Sequence, residues 1–226
     1  MRVLAAILLS AVLASCTASS GPRERYGRFV QQTADPGAVA AADLRMARMA
    51  RDEGVLAALR TFAADDAQVF APTPMAASDY LKSAQDFPST RWAPHRVLSS
   101  CDGSLAVTIG AIEWGETAGH YYTVWARDRA DRRAEYRWIL SDGDGVAEPL
   151  TSPEAISTKT ASCEGSPPVS TMPQADPRYG GRALSADRSL RYEWWAMRDG
   201  SRQIIIEMWN GTDYEGIYQQ SVQPRS

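Results

Sequence analysis

The spacing of apolar side chains predicts helices in the first third of the folded chain. Between residues 36 and 84, apolar residues recur every three to four positions, with charged residues on the intervening face. Asp35 is placed to cap a first helix and Gly54 to end it. A second short helix follows Gly54, a short strand is expected at 68–70, and a third helix at 78–84.

The period then changes to that of strands. Four stretches are rich in β-branched and aromatic residues and are bounded by turn-forming residues: 96–100, 105–114, 120–127 and 136–140. The Asp-Gly-Asp-Gly run at 142–145 fails the helix-loop-helix calcium pattern and reads as a hairpin turn. Helices followed by an antiparallel meander predict an α+β fold, with the helices covering one face of a curved sheet.

The last third of the chain divides into an irregular and a regular part. Residues 149–188 are irregular and proline-rich and predict a linker or a loop that lies along the surface. Residues 189–226 predict a three-strand β meander that extends or covers the first sheet. The aromatic residues of this meander are Tyr192, Trp194, Trp195 and Trp209. They could form a binding surface for sugar rings or a partner, but packing of these residues against the first sheet is favoured. No repeat of fixed period is visible.

The N-terminus has the parts of a secretory signal. One positive charge precedes a short apolar run, which ends in Leu-Ala-Ser-Cys at 13–16. This ending resembles the lipobox of bacterial lipoproteins, which implies removal of residues 1–15, acylation of Cys16 and a flexible tether over 16–34. An ordinary cleaved signal is the alternative. Thr17 is not the acidic residue that retains lipoproteins in the inner membrane, so the resemblance implies an outer-membrane lipoprotein facing the periplasm.

The composition and net charge of the chain limit the kinds of partner that it is expected to bind. With 44% hydrophobic residues the chain can build a sizeable core, and a net charge of −3 offers no electrostatic footprint for nucleic acid. Setting Cys16 aside leaves Cys101 and Cys163, which either form a disulfide in the oxidising envelope or stay two free thiols. The only two histidines lie in different segments without clustered thiols, so no metal or other cofactor is predicted.

Residues 47–145 carry a resemblance to a known superfamily. The most telling stretch is Gly-His-Tyr-Tyr-Thr-Val-Trp at 119–125, followed by a charged turn and Trp-Ile-Leu-Ser-Asp-Gly at 138–143. The order of these motifs resembles the nuclear transport factor 2-like superfamily, in the branch of SnoaL-like and ketosteroid-isomerase-like domains. The resemblance implies a cone-shaped domain over 35–148, with a pocket in its concavity and dimerisation through the outer sheet face.

The resemblance also implies which side chains line that pocket. Thr123 is expected to face the pocket, and strand alternation adds six more residues: Tyr121, Trp125, Val107, Ile109, Ala111 and Glu113. A mostly apolar pocket of this kind suits a small, partly apolar ligand, although the same side chains could fill the cone as core. The leading hypothesis is a non-catalytic envelope lipoprotein that binds such a ligand or serves as a dimerising scaffold. The alternative is an isomerase- or dehydratase-like enzyme with Glu113 as base and Tyr121 as donor.

Overall fold

The structure, a computed structural model, describes residues 34–85, 87, 89–128, 134–169 and 179–224. It is an α+β fold, as the sequence predicts. The helices are α1 (Pro36–Glu53), α2 (Val55–Phe62) and α3 (Ala77–Ser83). The strands before residue 150 are β1 (Ala63–Phe70), β2 (Pro74–Ala76), β3 (Thr90–Ser99), β4 (Leu105–Trp114), β5 (Thr117–Ala126) and β6 (Arg137–Gly145). Those after it are β7 (Ser157–Thr160), β8 (Gly180–Leu184), β9 (Leu190–Ala196), β10 (Arg202–Trp209) and β11 (Tyr214–Val222).

Seven strands form a large curved main sheet in the order β2-β1-β6-β5-β4-β3-β7. The central strands β3 to β6 are antiparallel, as predicted. The sheet as a whole is mixed, because β1 runs parallel to β6 and β7 runs parallel to β3. The turn predicted at 142–145 is wrong: β6 continues through it, since Gly143 pairs with Tyr121 and a Cβ there would lie 2.7 Å from the backbone oxygen of His120.

Helix α1 forms where the pattern places it. Asp35 Oδ1 accepts a hydrogen bond from Ala38 N at 3.0 Å, and Pro36 occupies the first turn, where no intrahelical donor is needed. The helix ends at Gly54, whose φ of 96° favours glycine. Its buried stripe has helical spacing: Val39, Ala42, Asp43, Met46, Ala47 and Ala50.

The inner face of the main sheet carries the first core. The apolar stripe of α1 packs there with α2, α3 and large sheet residues, among them Val97, Trp125, Tyr136 and Trp138. Trp138 Nε1 donates to the backbone oxygen of Leu59 at 2.9 Å, so α2 is tied to β6 by a hydrogen bond as well as by packing.

Four strands form a second, antiparallel sheet in the order β11-β10-β9-β8. The predicted meander therefore gains β8, which lies in the stretch 149–188 that the sequence predicts to be irregular. That prediction is wrong for β7 and β8. Every residue of β7 is exposed, and β8 begins with two glycines, so neither strand shows the apolar alternation that identifies a half-buried strand.

The second sheet covers the outer face of the main sheet. The core between them contains residues of both sheets: Leu98, Leu105, Val107, Tyr122, Val124 and Leu140 from the main sheet, with Leu190, Tyr192, Trp194, Ile204, Ile206 and Met208 from the second. The Trp194 ring meets the Phe70 ring edge-on, with centroids 5.1 Å apart. The packing interpretation is thus confirmed for Tyr192 and Trp194, while Trp195 lies on the opposite face.

A buried ion pair fastens one end of the second sheet. Arg202, at the start of β10, donates from Nε and Nη2 to both carboxylate oxygens of Asp142 on β6, at 2.5 and 2.6 Å. Their side chains are 6% and 8% exposed. Burial raises the pKa of Asp142 despite the opposing effect of Arg202.

Candidate functional site

The register of β4 against β5 divides the predicted pocket residues between two faces. Thr108 pairs with Thr123 and Gly110 with Tyr121, and residues directly opposite each other in an antiparallel pair share a face. The prediction of a shared face is therefore wrong for the β4 residues Val107, Ile109, Ala111 and Glu113, which lie on the outer side. A shift of one residue in the assumed register moves every side chain to the other face.

The β5 residues of the predicted set lie on the inner face of the main sheet, where they are buried. Tyr121, Thr123 and Trp125 are 4%, 2% and 0% exposed. Trp125 Nε1 donates to Thr108 Oγ1 at 2.9 Å, and Thr123 Oγ1 lies 3.0 Å from Ser141 Oγ. The polar atoms of this face thus satisfy one another, and Trp125 belongs to the core that packs against α1.

A buried carboxylate that was not among the predicted site residues is hydrogen-bonded to this face. Asp43 of α1 is 1% exposed. Its Oδ1 accepts from Trp92 Nε1 at 2.8 Å and its Oδ2 from the hydroxyl of Tyr121 at 3.1 Å. The signal was present in the sequence, because an aspartate in the apolar stripe of an amphipathic helix requires buried partners.

Burial dominates the electrostatics of this group. It raises the pKa of Asp43 from 3.8 to about 6, against the lowering effect of hydrogen bonds from Thr108, Trp92 and Tyr121. Burial also raises the pKa of Tyr121 well above its ordinary range, and the adjacent Asp43 raises it further. The pair has the groups for proton transfer, but it is enclosed by packing and ties α1 to β3 and β5.

Glu113 and Tyr121, the base and donor of the enzyme hypothesis, are not brought together. Glu113 accepts a hydrogen bond from Arg91 Nη2 at 2.8 Å, and both side chains are more than half exposed, at 52% and 69%. Glu113 projects from the face of β4 opposite to the one Tyr121 shares. It is a solvated carboxylate in a surface ion pair.

An open cleft of about 690 Å³ is lined by residues of both sheets. Its apolar lining comes from β1, β4, β5, β6 and β8: Ala64, Leu105, Ala126, Ile139, Ala183 and Leu184. Its charged lining carries both signs: Asp66, Arg127, Asp128, Glu135 and Arg137. A second cavity of about 410 Å³ lies where α1, α2 and β3 meet, with Arg51 and Arg91 on its walls. Of the predicted pocket residues, none lines either space.

The remaining predicted sites concern cysteines and metals. Cys101 and Cys163 are joined in a disulfide with an S–S distance of 2.01 Å. Cys16, the predicted lipidation site, lies outside the described residues. Within residues 34–85, 87, 89–128, 134–169 and 179–224, no three His, Cys, Asp or Glu side chains are grouped to hold a metal ion. In the same part of the chain, no helix is long and apolar enough to cross a membrane.

Comparisons with protein-family models, with curated proteins and with solved structures find no match to this chain.

Proposed function

We propose that this chain is a lipid-anchored protein of the bacterial cell envelope that binds a small, partly apolar ligand in the cleft between its two sheets, without catalysis. The Leu-Ala-Ser-Cys sequence supports acylation at Cys16. The helices on one face of a curved sheet support kinship with the nuclear transport factor 2-like superfamily. The fold does not define the ligand, because folds of this kind host many functions.

The observation that carries the proposal is the position of open space in the molecule. The helix-covered face of the main sheet, where the resemblance implies a pocket, carries the fully buried Trp125 and Trp138 and the Asp43 network. The cleft between the sheets, by contrast, is open, and its volume of about 690 Å³ lies in the range of small-molecule sites. Its mainly alanine and aliphatic lining offers apolar contact.

Two arginines and three carboxylates supply the charged part of the cleft, and each arginine has a contact that fixes it. The Arg127 guanidinium lies 4.8 Å from the ring centroid of Tyr136, and Arg137 Nη1 donates to the backbone oxygen of Thr61. Both cations are thereby held in place beside the apolar lining. With Asp66, Asp128 and Glu135 in the same lining, this combination favours a ligand with an apolar body and a polar, hydrogen-bonding group.

The structure lends less support to the other hypotheses. The base and donor of the enzyme hypothesis lie on opposite faces of the main sheet. The outer face, through which the superfamily resemblance implies dimerisation, is covered by the chain's own second sheet. A homodimer would have to use another surface.

The cleft is tested with the dye anilinonaphthalene sulfonate, which has apolar rings and one anionic group. Ala183→Trp places an indole in the cleft, and Ala155→Trp makes the same change at an exposed position. We expect the dye to bind the wild type and Ala155→Trp equally, and Ala183→Trp at least about tenfold more weakly. Glu113→Gln should leave binding unchanged. Equal binding by both tryptophan variants would place the site elsewhere and refute the proposal.

The membrane anchor is tested separately by metabolic labelling with palmitate. Cys16→Ala should abolish incorporation of label, because the thiol is the acceptor. Ser15→Ala keeps a small residue before the cysteine and should be labelled like the wild type. Labelling of Cys16→Ala would show that the chain carries no lipid at this position.

A further inference from the structure

Two hairpin turns that belong to different sheets share a sequence pattern. Residues 100–105 join β3 to β4 and read Ser-Cys-Asp-Gly-Ser-Leu. Residues 185–190 join β8 to β9 and read Ser-Ala-Asp-Arg-Ser-Leu. The first, third, fifth and sixth positions are identical, although the two turns lie 85 positions apart.

The identical residues build the same turn twice. In the first turn, Asp102 Oδ1 accepts hydrogen bonds from Ser100 Oγ and from Ser104 N, both at 2.8 Å. In the second turn, Asp187 Oδ1 accepts from the equivalent atoms at 2.6 and 3.0 Å. The fourth residue of each turn has a positive φ, of 69° and 63°. Short polar side chains that bond their own backbone give both turns one defined conformation.

The two turns bind each other reciprocally. Asp102 N donates to Asp187 Oδ2 at 2.9 Å, and Asp187 N donates to Asp102 Oδ2 at 2.8 Å. A second matched pair flanks this one: Cys101 N donates to Ser189 Oγ, and Ala186 N donates to Ser104 Oγ, both at 2.8 Å. The four bonds are related by a local twofold axis, so each turn supplies the acceptors for the other turn's donors.

We propose that these two turns form a two-part latch that holds the second sheet over the main sheet, and that breaking either half makes the second sheet open more often, as one unit. Loss of one carboxylate acceptor removes the partner of a backbone N–H in the opposite turn, which is costly where the contact is shielded from water. Release exposes the apolar outer face of the main sheet. It also opens the cleft, because Ser104 and Ala186 of the latch are among its lining residues.

The latch holds one end of the second sheet, and a different contact holds the other end. The ion pair of Arg202 with Asp142 fastens the start of β10. The latch lies at the other end, where Trp209 N, at the end of β10, donates to the backbone oxygen of Ser189 at 2.7 Å. The second sheet is therefore held by polar contacts at both ends and by apolar packing between them. The proposal rests on these contacts and does not depend on ligand binding.

Hydrogen–deuterium exchange of the full mature chain tests the latch through Asp102→Asn and Asp187→Asn. The oxygen of an asparagine side chain can still accept the hydrogen bonds within its own turn. Its NH₂ group then faces the backbone N–H of the aspartate in the opposite turn, so two donors meet and that bond is lost. We expect amides of β9 and β10 to exchange about tenfold faster in either variant, with α1 amides unchanged. The double variant should be no faster than either single variant, because one break already opens the latch.

Asp199→Asn is the matched control. Asp199 Oδ1 accepts from Ser201 N and Ser201 Oγ in the same way, but within the exposed turn between β9 and β10. This variant should exchange like the wild type. Uniform acceleration across the chain, no acceleration, or multiplication of the two effects to about a hundredfold would each overturn the proposal. If the asparagine variants do not fold, Ser104→Ala removes one flanking bond, and its β9 and β10 amides must still exchange faster than those of the wild type.

Discussion

Replacement of Asp43 by asparagine should change how the stability of the protein depends on pH. Burial raises the pKa of Asp43 from 3.8 to about 6, so the folded chain holds this proton more tightly than the unfolded chain does. The protonated Asp43 side chain therefore contributes to the free energy of unfolding in full below pH 3.8. This contribution is lost as the pH rises to about 6, because Asp43 ionises more easily in the unfolded state than in the folded state. Asp43 therefore favours the folded state in mild acid and opposes it at neutral pH.

The size of the effect follows from the shift. A rise of about two units corresponds to about 3 kcal/mol in the free energy of unfolding, at 1.36 kcal/mol per unit. The asparagine side chain does not titrate. Its oxygen can accept from Trp92 Nε1, and its NH₂ group can donate to the hydroxyl of Tyr121. We expect the free energy of unfolding of Asp43→Asn, relative to the wild type, to rise by about 3 kcal/mol between pH 3.5 and pH 7.5.

Urea denaturation followed by circular dichroism at several pH values measures this difference directly. Asp52→Asn, at an exposed position on the same helix, is the control and should give a difference that does not vary with pH. All other titrating groups are common to the compared proteins and cancel. A difference for Asp43→Asn that stays level, or that falls as pH rises, would refute the assignment of burial as the dominant cause.

Substitutions at three further positions test a buried ion pair, the disulfide and a strained backbone angle. Arg202→Met leaves the buried carboxylate of Asp142 unpaired and should lower the free energy of unfolding by about 3–5 kcal/mol in urea titrations; a loss below about 1 kcal/mol would contradict a buried pair. Cys163→Ser removes a crosslink between residues 62 positions apart and should cost about 4 kcal/mol, after which a reductant should have no further effect on the melting temperature. Arg188→Gly relieves a φ of 63° and should stabilise by about 1 kcal/mol, whereas Arg188→Ala keeps that conformation and should not.

Much of the candidate site could not be read from the sequence because it depends on register. Alternation correctly placed Tyr121, Thr123 and Trp125 on one face of β5. Which residues of β4 join them depends on which residue pairs with Thr123, and local periodicity is the same for either choice. The pairing with Thr108 is decided by the whole sheet. The inner face of the main sheet therefore carries the even-numbered residues of β4, whereas the odd-numbered residues were predicted to lie there.

Local patterns by themselves determined the elements whose two sides differ in polarity. The capped start of α1 at Asp35, its end at Gly54, the strands β4 and β5, and the parts of β3 and β6 at 96–99 and 137–140 follow from apolar spacing and turn residues. Burial on one side of an element produces a periodic pattern of apolar residues. Strands β7 and β8 show no such periodic pattern of apolar residues. Their place in a sheet comes from neighbours distant in sequence.

The position of the cleft and the partners of the buried polar groups depend on contacts between segments that are distant in sequence. Asp43 lies in an apolar stripe that is visible in the sequence, but its hydrogen-bond partners Trp92 and Tyr121 lie 49 and 78 positions away. The repeated Ser-X-Asp-X-Ser-Leu pattern is also visible, but the two copies that bind each other lie 85 positions apart. Packing of the second sheet on the outer face leaves a cleft between the sheets, while Trp125 and Trp138 are buried in the core on the helix-covered face. Such contacts depend on how three layers meet, and a one-dimensional pattern holds no information about the volume left between layers.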